Sequence, residues 1–268
     1  MHAGLPRDVL SILLGFLTGM LSALFGIGGA IVSNPGLRAL GAAPLVAVGT
    51  TLPSILPGAI SGTLRYRREG LVNWQLIIPA AASGLLAVVA GSFLSHAVPG
   101  GGHLLLLLIA VLLAFTAWRT AVAPSATPAP DAAEDVAAAT PDRRTRWLAA
   151  GIGVVAGLLS GLLGIGGGVI MVPAFTELLG MSLKSAIATS LVCVGIFGVP
   201  ATITHAFLGD VDWRLAVLLT IGVVPGARIG AGLTIRTAER RLRLAVGIFL
   251  ALVALVYFVT ETRALLAL

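Results

Sequence analysis

The sequence predicts an all-α polytopic membrane protein made of two four-segment repeats, and three observations carry the prediction. The chain has 268 residues, of which 57% are hydrophobic and 10% charged, with a mean hydropathy of +1.04. A soluble domain carries roughly 25% charged residues, so this composition excludes a water-soluble enzyme. Apolar residues gather in segments near the roughly 20 residues that a helix needs to cross the hydrocarbon core. Features of the first half then recur in order in the second. The 34 glycines and 14 prolines do not argue disorder, because transmembrane helices tolerate both.

Eight segments are expected, at 9–36, 44–64, 73–97, 103–119, 147–179, 184–208, 213–236 and 243–260. The first is long and interrupted at Gly26-Ile27-Gly28-Gly29-Ala30. The second carries Thr50-Thr51 ahead of Pro53 and Pro57, and the third opens at Trp74 after Gly70. After the fourth, the stretch 121–146 is rich in Ala, Pro and Thr and has no apolar period, so it reads as a flexible linker. The fifth repeats the break as Gly164-Ile165-Gly166-Gly167-Gly168. The sixth repeats the hydroxyl pair as Thr189-Ser190, and the seventh opens at Trp213 after Gly209. Gly26 thus matches Gly164, Thr50 matches Thr189 and Gly70 matches Gly209, in order and at a nearly constant offset. Residues 1–120 are therefore the first membrane repeat, 121–146 a cytoplasmic linker and 147–268 the second repeat.

Charge placement orients the repeats. Arg65, Arg67 and Arg68 lie in a stretch whose match, Thr204–Phe207, has no Lys or Arg, whereas Arg236–Arg243 matches the uncharged Ser95–His103. If segments one and five fold back at their glycine breaks as re-entrant hairpins, each repeat has three spanning helices and the second copy is inverted. Twelve Lys and Arg then lie inside and four outside, against ten and six for eight plain spans. The positive-inside tendency favours the hairpins. Inverted repeats are a transporter architecture with the site at their interface near the midplane. Met1 to Asp8 has no basic region or cleavage site ahead of a short apolar core, so no cleaved signal peptide is expected.

The chemistry expected at the repeat interface is anion binding. A glycine break lets the backbone unwind, and the half-helix after it points N–H groups and partial positive charge at the break. Two such ends facing each other make an anion site. The substrate-binding candidates are Gly28, Gly29, Ala30, Gly166, Gly167 and Gly168, with the hydroxyls of Thr50, Thr51, Thr189 and Ser190 as neutral donors. The plainer accounts are small-residue helix packing for the glycines and back-bonding to helix carbonyls for the hydroxyls. Arg228 lies two helical turns before Arg236, roughly 12 Å of helix. An intramembrane arginine there is a candidate oxyanion ligand, or a boundary arginine, or a partner of Glu177. His205, Glu177 and Tyr66 are positions for a proton or gating role. The single cysteine, Cys193, excludes a disulfide framework. No sequence motif for catalysis, a metal or a cofactor is present, and the expected partners are a small anion, the lipid bilayer and a second copy of the chain, not nucleic acid.

The duplicated unit resembles the TauE/SafE sulfite and sulfonate exporter family of membrane permeases. The resemblance rests on Gly19, Ser22 and Gly26 to Ala30, on Gly157 and Ser160 to Gly168, on the two hydroxyl pairs, and on the Gly70–Trp74 and Gly209–Trp213 loops. It covers both repeats and implies transport of sulfite or organosulfonates such as sulfoacetate across the bacterial inner membrane. The first motif ends in Ala30 where the second has Gly168, so the two half-sites are not identical. A channel-like anion facilitator and a non-transporting membrane assembly or lipid-binding protein are the alternatives to a carrier.

Overall fold

The structure, a computed structural model, describes residues 5–97, 103–122, 142–164 and 166–266. Most of the linker expected at 121–146, and Ile165 of the second glycine break, lie outside the described residues. The described helices are α1 (Leu5–Phe25), α2 (Ala30–Ala39), α3 (Pro44–Arg68), α4 (Trp74–Ala97), α5 (His103–Val122), α6 (Arg143–Leu163), α7 (Gly168–Leu178), α8 (Leu183–Phe207), α9 (Trp213–Arg236) and α10 (Glu239–Leu266). Seven of them, α1, α3, α4, α6, α8, α9 and α10, are long and apolar enough to cross a membrane. The protein is an all-helical, multi-pass membrane protein.

The eight expected segments become ten helices because each glycine break divides its segment. Helix α2 doubles back along α1, with Gly29 against Thr18 and Gly36 against Leu14. The first arm is longer than a re-entrant arm needs to be. It begins at Leu5 rather than residue 9, because Pro6 and Asp8 suit a helix's first turn. Its ends are level with those of α9: Asp8 pairs with Arg214, and Thr234 Oγ1 donates to the Leu24 carbonyl at 2.8 Å. The hairpin thus joins a full-length helix to a half-length one. Helix α6 opens on Asp142, whose carboxylate accepts the Thr145 N–H at 2.7 Å. The Thr145 hydroxyl, and after it this N–H, hold the Asp142 pKa below the usual carboxylate range.

Glycines spaced by four set the packing. Gly222, Gly226 and Gly230 of α9 lie on the backbone of α1, where an added Cβ would come within 2.0–2.1 Å of the carbonyl oxygens of Ile12, Phe16 and Met20. Gly153, Gly157 and Gly161 of α6 lie in the same way on α4, within 2.0–2.3 Å of the carbonyl oxygens of Ala80, Gly84 and Val88. Residue numbers rise together along both pairs, so each runs parallel. In lipid, where helices gain nothing by hiding apolar surface from one another, such close approach supplies the dispersion contact. At the centre α3 and α8 cross antiparallel, Ala59 meeting Gly195 and Ile55 meeting Gly198. Helix α5 packs along α10.

These pairings gather the chain ends. The end of α9 meets the start of α8, where Lys184 Nζ donates to the Ile235 carbonyl. The start of α8 in turn meets the turn after α3, where Ser185 Oγ donates to the Leu71 carbonyl. Arg65, Arg67, Arg68, Lys184, Arg236, Arg240 and Arg241 therefore share one end of the molecule. Large apolar side chains face outward, Leu86 at 80% and Ile78 at 72% exposure, while Ser33, Asn34, Thr51 and Ser190 are fully buried. This is the distribution expected of a protein in hydrocarbon.

Candidate functional site

The two glycine breaks meet. A Cβ on Gly168 would lie 2.1 Å from the Gly26 carbonyl oxygen, and one on Gly166 would lie 3.4 Å from Gly28 Cα. Gly26, Gly28, Gly164, Gly166 and Gly167 all have φ between 66° and 90°, a region that only glycine enters without strain. Each break leans on the long helix of the other half, Gly26 on Ile187 and Gly164 on Val48.

Half-helices α2 and α7 start at this contact. Gly29 accepts from the N–H groups of Val32 and Ser33, and Gly167 from those of Ile170 and Met171. The N–H groups of Ala30, Ile31, Gly168 and Val169 come before those first bonds and have no place in the helical ladder. All four residues are buried. Two positive helix ends are thus brought to one buried place, with the small residues Ala30 and Gly168 at their tips.

The hydroxyl pairs divide by task. Thr50 accepts the Asp212 N–H at 2.9 Å, and its equivalent Thr189 accepts the Asn73 N–H at 3.0 Å. Both tie a long helix to a turn of the other half. Ser190 Oγ donates to the Gly26 carbonyl at 2.9 Å, directly at the breaks. Thr51 faces α2, its Oγ1 lying 2.8 Å from Ser33 Oγ and 3.1 Å from Asn34 Oδ1.

Around α2 the structure assembles a polar cluster that sequence reasoning missed. The Asn34 Nδ2, Thr18 Oγ1 and Tyr257 Oη atoms are buried and have no hydrogen-bond partner among the described residues. Tyr257 of α10 neighbours Asn34 and Arg38, and the Thr18 methyl abuts Gly29. A buried polar group without a partner costs about 1–3 kcal/mol; of these groups Thr18 lies beside the first break, and Asn34 and Tyr257 lie next to each other. Repetition does not reveal them, because the second half lacks them: in the register that pairs Gly26 with Gly164, Ser33 and Asn34 become Met171 and Val172. The available signal was an asparagine in the middle of an apolar segment.

The remaining candidates stand apart from the breaks. His205, fully buried, lies with Nδ1 2.8 Å from Asp210 Oδ2, in the α8–α9 turn that packs on Gly49. Tyr66, also buried, donates its hydroxyl to the Ala23 carbonyl. Glu177 is exposed near the end of α7. Arg228 is exposed on the outer flank of α9, where it lines a cavity with Arg65 and Arg236.

Comparison with known proteins finds membrane transporters. The chain is 28% identical over 266 residues to "Probable membrane transporter protein YunE" of Bacillus subtilis, covering 91% of this chain and 95% of that one. It is 29% identical over 224 residues to a "Probable membrane transporter protein" of Xylella fastidiosa, covering 83% of each. It is also 29% identical to "Probable membrane transporter protein YjnA" of Bacillus subtilis, covering 87% of this chain and 92% of that one. No solved structure matches. Residues 11–257 match the family described as "Sulfite exporter TauE/SafE", so this chain is a membrane transporter of the TauE/SafE sulfite exporter family.

Proposed function

We propose that the protein exports small sulfur-containing anions, such as sulfite or organosulfonates, across the bacterial inner membrane. The observation that carries this reading is the meeting of two half-helix N-termini beside the buried Thr18 hydroxyl and one turn from the buried Asn34 amide. An oxyanion there would accept from the first N–H groups of α2 and α7 and from Asn34 Nδ2, while the hydroxyls of Ser33, Thr51 and Ser190, already hydrogen-bonded within the protein, hold the breaks in place. Hydrogen bonds to a charged group contribute about 1.5–3 kcal/mol each. Arg228 is left out of this shell because it is exposed and lines a cavity with Arg65 and Arg236 instead.

The repeats are proposed to lie inverted in the bilayer, with the basic end and the linker in the cytoplasm and the Gly209–Trp213 turn outside. The antiparallel crossing of the equivalent helices α3 and α8 supports this, as does the gathering of arginines at one end. The direct contact of the two breaks closes the middle of the molecule. This favours a carrier that rocks one half against the other over an open channel.

An anion leaving a cell with a negative interior gains about 2.3 kcal/mol per charge per 100 mV, and the membrane-spanning helices carry few carboxylates. Sulfite efflux from proteoliposomes under a potassium–valinomycin potential, with equal pH on both sides, is the test. Saturable flux that follows the potential is the expected result. Flux that appears only with a pH gradient would move the coupling to the His205–Asp210 pair, and no protein-dependent flux of any sulfur oxyanion would sink the reading.

A further inference from the structure

The basic cavity on the outer flank has no role in anion transport as proposed. Arg65 of α3 and Arg228 and Arg236 of α9 line a cavity of about 380 Å³ with Ile229, Gly232 and Leu233. None of the three arginines forms an ion pair with a carboxylate among the described residues. The repeat does not require them. In the register that pairs Thr50 with Thr189, their equivalents are Thr204, Val89 and Ala97, so the matching flank of the other half carries no charge at these positions.

We infer that this cavity holds the phosphate headgroup of an anionic phospholipid. Three guanidiniums supply forked donors matched to phosphate oxygens, and basic pockets between transmembrane helices suit such headgroups. What favours a lipid over a free anion is the surface around the arginines. Val224, Ile229 and Leu233 of α9 are 39–48% exposed, and the last two line the cavity itself, which gives acyl chains an apolar wall. Arg228 lies roughly 12 Å along the helix from Arg236, and an arginine stem laid along that wall would carry its charge toward the headgroup level. A bound phosphate diester neutralises charge that is otherwise costly at that depth.

Native mass spectrometry of the intact chain with phosphatidylglycerol, phosphatidylcholine or inorganic phosphate tests the site. The wild type retains phosphatidylglycerol over phosphatidylcholine. Each of Arg65→Gln, Arg228→Gln and Arg236→Gln weakens that retention about fivefold, whereas Arg144→Gln, on α6 and outside the cavity, leaves it unchanged. Should one variant fail to fold, the other two decide. Equal retention of the two lipids, or retention indifferent to all three substitutions, overturns the site. Displacement of phosphatidylglycerol by equimolar inorganic phosphate overturns the lipid and leaves a free-anion site.

Discussion

Asn34 concentrates the argument at the scale of single residues. Its Oδ1 lies within hydrogen-bond reach of Thr51 while its Nδ2 has no partner among the described residues, all of it fully buried. Asn34→Leu removes two donors at nearly constant volume. It is expected to leave a folded protein and to weaken sulfite-dependent thermal stabilisation about tenfold or more, the consequence of losing one charge-assisted bond of about 1.5–3 kcal/mol. Stabilisation equal to wild type across a concentration series would remove Asn34 from the site. Glycine substitutions at the breaks are poorer probes. Gly167 has a φ of 70° and would drive a Cβ to 2.5 Å from the Ala156 carbonyl oxygen, so Gly167→Leu strains the fold as well as the site. The sequence marked the glycines through their repetition, and the same emphasis hid Asn34, whose importance is that it occurs once.

Among the elements, α6 offers an internal comparison. Gly157 would press a Cβ to within 2.3 Å of the Gly84 carbonyl oxygen, whereas Gly151 has open space around it. Gly157→Ala should lower stability by about 1–3 kcal/mol through overpacking. Gly151→Ala should be neutral or gain up to about 1 kcal/mol from helix propensity. Thermal unfolding of the two variants side by side reads the difference, and equal midpoints would mean that α4 and α6 do not pack through this row. The regular spacing of Gly153, Gly157 and Gly161 is visible in the sequence. Its partner helix is not, because a row of small residues accepts any backbone that arrives in register.

For the whole molecule, the sharpest expectation concerns sidedness. Single cysteines in the 236–243 turn should react with an impermeant thiol reagent only from the cytoplasmic side, and cysteines in the 209–213 turn only from outside. Turns labelled from the same side would defeat the inverted arrangement. The full length of α1 does not disturb this expectation. Helix α2 returns toward the end where α1 began, so α3 starts at that same end of the molecule.

Composition and repetition alone determined the class, the duplicated unit, the positions of the breaks and the resemblance to sulfur-anion exporters, because hydrocarbon thickness, glycine's conformational range and charge asymmetry act on local sequence. Only the tertiary structure decided that the two breaks touch. It alone placed Thr50 and Thr189 on turns of the opposite half, Arg228 on the outer flank with Arg65 and Arg236, and Tyr257, near the far end of the chain, beside Asn34. Each of these depends on which helices lie side by side, and that is set by surface fit between distant segments rather than by the period of any one of them.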